Sequence, residues 1–148
     1  MNALRQQAIR LLARREYTRA ELRKKLGDEG STEEIDAVLA DLVSRGLLSD
    51  ERAIASYLRG HGARFGAARL RQTLRDKGVE DDAIAAGMAE IELPDELDRA
   101  RTIWQRKFQN PPQDQREWAR QARFLQLRGF EVDVIRRLLK VQKEQEEA

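Results

Sequence analysis

One motif returns three times along this chain and restricts what it can fold into. Leu22 and Leu26 are followed by Gly30, then by Ile35, Leu39 and Leu42; Leu70 and Leu74 are followed by Gly78, then by Ile84, Met88 and Ile91. A third copy runs Leu125, Gly129, Ile135, Leu138 and Leu139. The three glycines stand 48 and 51 positions apart. Self-similarity at a fixed period of this size marks an array of small units that bury their apolar faces against one another.

Each unit reads as three helices. Leu4, Ala8, Leu11 and Leu12 lie on one face of a first helix opening near Asn2. Thr18 with Glu21 forms a capping box, with Tyr17 and Leu22 at the staple positions around it, and predicts a second helix to about Asp28. Ser31 with Glu34 is another capping box and opens a third helix, which Arg45-Gly46 ends by placing glycine in the left-handed conformation. The second unit starts after Ser49-Asp50-Glu51, and its later helices begin near Gly66 and Glu80. In the third unit Pro94 suits a first helical position, Pro111-Pro112 breaks the chain before a helix with Trp118, Ala122 and Leu125, and the last helix runs from about Glu131 into a polar tail. Strand signals are nearly absent. The expectation is an all-α chain of nine helices in three tandem, divergent three-helix repeats, residues 1–48, 49–92 and 93–148, forming an elongated, curved array.

Charge follows the same period. The net charge of +2 conceals basic excesses of six over residues 1–27, six over 52–78 and eight over 99–143, separated by acidic excesses of seven over 28–51 and eight over 79–98. Basic side chains are thus expected on the first two helices of each unit and acidic ones on the third. With 36% charged residues, well above the roughly 25% usual for globular domains, and 41% hydrophobic, the chain has both a core and a strongly charged surface.

Several function classes are excluded. There is no cysteine, hence no disulfide, thiolate metal site or cysteine nucleophile. His61 is the single histidine, which makes zinc a poor fit. Arg59-Gly60-His61-Gly62 lacks the lysine-serine pair and following strand context of a phosphate-binding loop and reads as a helix end or joint. The carboxylate pairs Glu33-Glu34 and Asp81-Asp82 fall in first helical turns, where the helix dipole accounts for them. No nucleophile–base arrangement is evident, so neither enzyme activity nor a cofactor is expected. With no apolar run near the roughly 18 residues of a membrane span and no signal-peptide pattern at the start, a cytoplasmic location is expected.

The segment Leu48-Ser-Asp-Glu-Arg-Ala-Ile-Ala-Ser-Tyr-Leu-Arg, continuing through Arg64-Phe-Gly-Ala-Ala-Arg-Leu-Arg-Gln-Thr-Leu-Arg-Asp-Lys-Gly78-Val, resembles the central signature of the RecX family. Arg14-Arg15-Glu16-Tyr17-Thr18 through Leu26 is similar to that family's first-repeat motif, and Phe124-Leu-Gln-Leu-Arg-Gly-Phe130 to its third. Ser49 stands where an acidic residue is common. The resemblance implies a non-enzymatic modulator that binds in the helical groove of RecA filaments on DNA, suppressing recombinase activity and filament growth, and so a place in recombination, repair and the SOS response.

Candidate contacts to such a partner, or weakly to DNA, are Arg14, Arg15, Lys24 and Lys25 in the first unit, Arg64, Arg69, Arg71, Arg75 and Lys77 in the second, and Arg120, Arg123 and Arg128 in the third. Arginine suits phosphate and interface pairing, although any one of them could simply be a solvated helix residue paired to a neighbouring acid. Tyr57, Phe65, Trp104, Phe108, Trp118, Phe124 and Phe130 are expected to pack in the core rather than to stack on bases. Two other readings fit the same physics: a direct DNA-binding protein with helix-turn-helix-like units, and a helical adaptor for another protein.

Overall fold

The computed structural model describes residues 2–147, the side chains of Asn2, Gln142, Gln145, Glu146 and Glu147 excepted. Nine α-helices and one 3₁₀ turn, with no strand, make up the described residues: α1 Asn2–Arg14, α2 Arg19–Lys25, α3 Thr32–Ser44, α4 Asp50–His61, the 3₁₀ turn Gly62–Arg64, α5 Ala67–Asp76, α6 Asp81–Glu90, α7 Glu96–Lys107, α8 Gln115–Leu127 and α9 Val132–Glu147. None of the described helices is long and apolar enough to cross a membrane.

Local signals set most helix starts. Thr18 Oγ1 accepts from the Glu21 N–H while Glu21 accepts from the Thr18 N–H, and Ser31 and Glu34 make the same reciprocal pair, so both capping boxes close. Gly46 takes the left-handed conformation, φ 73°, that ends α3. Two expectations shift. Pro94 precedes the cap instead of opening the helix, because Asp95 is the N-cap and its carboxylate accepts from the Leu97 N–H at 3.2 Å. The helix α2 stops at Lys25 and not at Asp28: the Gly27 and Glu29 N–H groups turn back to the Lys24 and Leu26 carbonyls, tightening the chain into a turn.

The chain gathers into two compact units, Met1–Tyr57 with Thr73–Ile91 and Leu58–Gln72 with Glu92–Ala148. Helices α4 and α5 each contribute residues to both. In the first unit Leu22, Leu26, Leu39 and Leu42 are fully buried with Leu4, Ala8 and Ile35, the residues that the apolar stripes of α1 to α3 select. Thr18 is also fully buried, and its hydroxyl donates to the Lys77 carbonyl at 2.6 Å. Next to that bond Gly78, at φ 83°, lies against Ala20, and an added Cβ would stand 2.3 Å from the Ala20 Cβ. The turn after α5 therefore closes over the N-terminus of α2. Replacing Thr18 by alanine removes one bond from each side of a buried group and should lower stability by about 2 kcal/mol; a urea titration reads this as a shifted midpoint, and Thr18→Ser should recover most of it.

The second unit repeats the device with different chemistry. Its core joins Ala100, Trp104, Leu125, Phe130, Leu138 and Leu139. The turn after α8 closes over the N-terminus of α5: the Gly66 N–H donates to the Arg128 carbonyl at 2.9 Å and the Ala68 N–H to the Gly129 carbonyl at 3.2 Å, while the Ala67 N–H between them donates to the Glu96 carboxylate at 3.3 Å. Gly129 takes φ 93°. Gly30, which the motif aligns with Gly78 and Gly129, is absent from the positive-φ glycines. Buried Arg99 fastens α7 to the chain before α5, donating to the Phe65 carbonyl at 3.2 Å and the Pro94 carbonyl at 2.7 Å. Burial draws its guanidinium below the ordinary arginine value, a shift that Glu96 and Asp95 oppose.

Candidate interaction surfaces

The basic last turn of α2 and the C-terminal turn of α5 meet in the first unit. Arg15, Tyr17, Lys24, Lys25 and Lys77 line an open groove there, of about 690 Å³. Arg15 stacks its guanidinium 3.6 Å above the Tyr17 ring. Glu21 stands among these cations, 3.2 Å from the Lys77 ammonium and 3.5 Å from the Arg15 guanidinium. Burial alone would raise the Glu21 carboxyl, but the Thr18 N–H, Lys77 and Arg15 together outweigh it and hold the group below its ordinary value of 4.5. A carboxylate depressed in this way stabilises the fold above its unfolded value and ceases to do so as pH falls through the folded one. Glu21→Gln, which keeps the capping geometry, should therefore be less stable than wild type near neutrality. That difference should shrink on acidification below pH 4.5, as thermal melts over that range would show. Glu21 compensates Arg15 and Lys77 only. Exposed Lys24, Lys25 and Arg14 have no ion pair among the described residues.

In the second unit, cations alternate with half-buried rings. Arg69 lies 4.4 Å from the Phe65 ring centre and Arg128 lies 5.8 Å from it. Arg128 also stands 5.5 Å from Phe124, which Lys107 approaches to 5.7 Å. Phe124 meets Phe108 edge-on at 5.4 Å, and Arg120 stands 5.7 Å from Phe108. Guanidiniums laid over aromatic faces lose conformational freedom, which prepares them for an anionic or carbonyl-rich partner. Arg69, Lys107, Arg120, Arg123 and Arg128 have no ion pair among the described residues; the Arg69 guanidinium donates to the Leu127 carbonyl at 3.1 Å.

The twelve candidates thus divide. Arg15, Lys24, Lys25 and Lys77 come together in the groove, and Arg69, Arg120 and Arg128 on the ring-backed surface. Three others are otherwise engaged: Arg71 pairs with Glu131 at 3.2 Å, Arg75 with Asp81 at 2.8 Å, and Arg64 donates to the Gly60 carbonyl at 3.1 Å. Arg14 and Arg123 are exposed. Lys107 was not among the candidates, although its place in the basic last turn of α7 beside Phe108 was the available signal. Of the aromatics, Trp104 and Phe130 are core residues at 4% and 1% exposure, whereas Phe65, Phe108 and Phe124 are half-buried supports. The described residues hold no group of three or more histidines and carboxylates placed to bind a metal.

Comparison with known proteins gives a consistent answer. Models of the first, second and third three-helix domains of RecX match residues 5–42, 49–88 and 94–139. The regulatory protein RecX of Leptothrix cholodnii is 46% identical over 140 residues, 94% of this chain and 88% of that one. The regulatory protein RecX of Chromobacterium violaceum is 41% identical over 138 residues, 93% of this chain and 89% of that one. Among solved structures, RecX from Lactobacillus salivarius superposes with a TM-score of 0.82 at 18% identity, covering 96% of both chains, so there the likeness is of fold.

Proposed function

The chain belongs to the RecX family of regulatory proteins, and from that premise we propose that it is a negative modulator of the RecA recombinase. It binds the RecA–DNA filament and inhibits ATP hydrolysis, strand exchange and filament growth. It acts by occupancy and not by chemistry, which accords with the charged surfaces that the chain offers. The observation that carries the reading is the presence, in order, of all three family domains in a chain that aligns nearly end to end with proteins named regulatory protein RecX.

Two physical features support it. Cations without an ion pair among the described residues, Lys24 and Lys25 at the groove and Arg69, Arg120 and Arg128 beside the rings, suit a partner surface that is itself of mixed or negative charge. The acidic stretches, 28–51 and 79–98, would repel a bare duplex and argue for a protein component in the target. The test titrates the protein into RecA preassembled on single-stranded DNA while ATP hydrolysis is followed. Inhibition at levels too low to coat the DNA is the expected result. No inhibition, with strong binding to naked DNA, would move the assignment to a direct DNA-binding protein; silence in both would leave a helical adaptor.

A further inference from the structure

A recess in the second unit lies apart from every residue assigned above. It is formed where the start of α8 faces α9, and it measures about 590 Å³, within the roughly 300–1,000 Å³ typical of small-ligand sites. Trp118 is its aromatic wall: half-buried, the indole packs against the core and also lines the recess. Leu139, 1% exposed, contributes apolar floor. Around them stand Arg136, Lys140 and Lys143, which at spacings of four and three residues occupy one face of α9. All three are exposed, and none has an ion pair among the described residues. The one carboxylate in the lining, Asp114, is engaged as the α8 N-cap, accepting from the Glu117 N–H at 2.8 Å. The exposed Gln115 amide supplies a donor and an acceptor beside the ring.

We propose that this recess binds single-stranded nucleic acid, with one base stacked on Trp118 and adjoining phosphates held by Arg136, Lys140 and Lys143. An aromatic shelf beside a row of cations is the arrangement that grips a single strand without reading its sequence: every base has a π-face, and every nucleotide brings a phosphate. A duplex hides its bases in the stack and would leave the indole idle. An acidic peptide would use the cations but has no need of the shelf, so the indole decides in favour of nucleic acid. The N-terminal end of the thirteen-residue α8 adds partial positive charge to the same recess. The site stands whether or not the recombinase reading does, because it needs no second protein.

The experiment titrates oligothymidylate into the full-length protein, following tryptophan emission and, with a labelled strand, anisotropy at several salt concentrations. Binding should quench the Trp118 emission, and Trp118→Phe should keep binding while losing most of the quench. Trp118→Ala should weaken binding by roughly 5- to 150-fold. The triple reversal Arg136→Glu, Lys140→Glu, Lys143→Glu changes only exposed positions and keeps the question decidable if Trp118→Ala does not fold. It should abolish tight binding and reduce the slope of log affinity against log salt by about 2. Wild-type affinity in the triple variant or in a folded Trp118→Ala protein would overturn the proposal. So would absence of binding, or polyglutamate displacing the strand at equal concentration, which would mark an acidic-peptide site.

Discussion

Alanine at Gly66 is expected to destabilise the protein by about 3 kcal/mol. The reason is backbone on backbone. A Cβ at Gly66 would stand 2.3 Å from the Gly129 carbonyl oxygen, 2.4 Å from the Gly129 carbonyl carbon and 2.5 Å from the Phe130 nitrogen. No rotamer change relieves such a clash, so the turn after α8 must lift from the N-terminus of α5. It takes with it the bonds from the Gly66 and Ala68 N–H groups, the first of them donated by a buried glycine. Gly60→Ala is the control: this helical glycine has nothing within 4 Å of an added Cβ, and alanine there should be neutral or stabilising by up to about 1 kcal/mol. Urea denaturation of the two variants gives opposite shifts on this account. Equal midpoints would mean that the turn is not held against α5 in solution.

Reversing Arg69 and Arg128 together to glutamate is expected to raise, by about tenfold or more, the concentration needed to inhibit RecA ATP hydrolysis. These guanidiniums sit on the Phe65 and Phe124 rings with no ion pair among the described residues, so their full charge is available to a partner. Arg71 and Arg75 are instead paired with Glu131 and Asp81. The matching reversal there should cost inhibition far less, within about threefold. Both double variants are to be compared by urea midpoint first, because Arg69 also donates to the Leu127 carbonyl. A folded Arg69/Arg128 variant that inhibits like wild type would remove the ring-backed surface from the proposed mechanism, whereas a dominant effect at Arg71 and Arg75 would show that their ion pairs open on binding.

How much of this was legible in the residues themselves depends on range. The helix starts at Thr18 and Ser31 and the stop at Gly46 were readable because each rests on groups within a turn of one another: an N-cap oxygen reaches the N–H three residues on, and glycine enters the left-handed region without help. The apolar stripes likewise selected the buried leucines of α2 and α3, since helical periodicity alone assigns a face. The recurring glycine was visible as well. Its meaning was not: at Gly78 and Gly129 a side chain is also excluded by Ala20 or Arg69, some 60 residues away in the chain, while Gly30 carries the same letter without the positive φ.

The candidate sites divide along the same line. Composition and family motifs placed the arginines and lysines in recurring blocks, and that much belongs to the sequence. Which of them keep an uncompensated charge was decided by tertiary structure, through partners such as Glu131 for Arg71, 60 residues away, and Glu21 for Lys77, 56 residues away. The same holds for the rings: Phe65 and Phe124 read as core residues by spacing, and only packing left them half exposed beneath guanidiniums. Short-range hydrogen bonding and periodicity act on neighbours, so the chain states them outright. Electrostatic pairing and close approach act through space, and they exist only once the helices have been brought together.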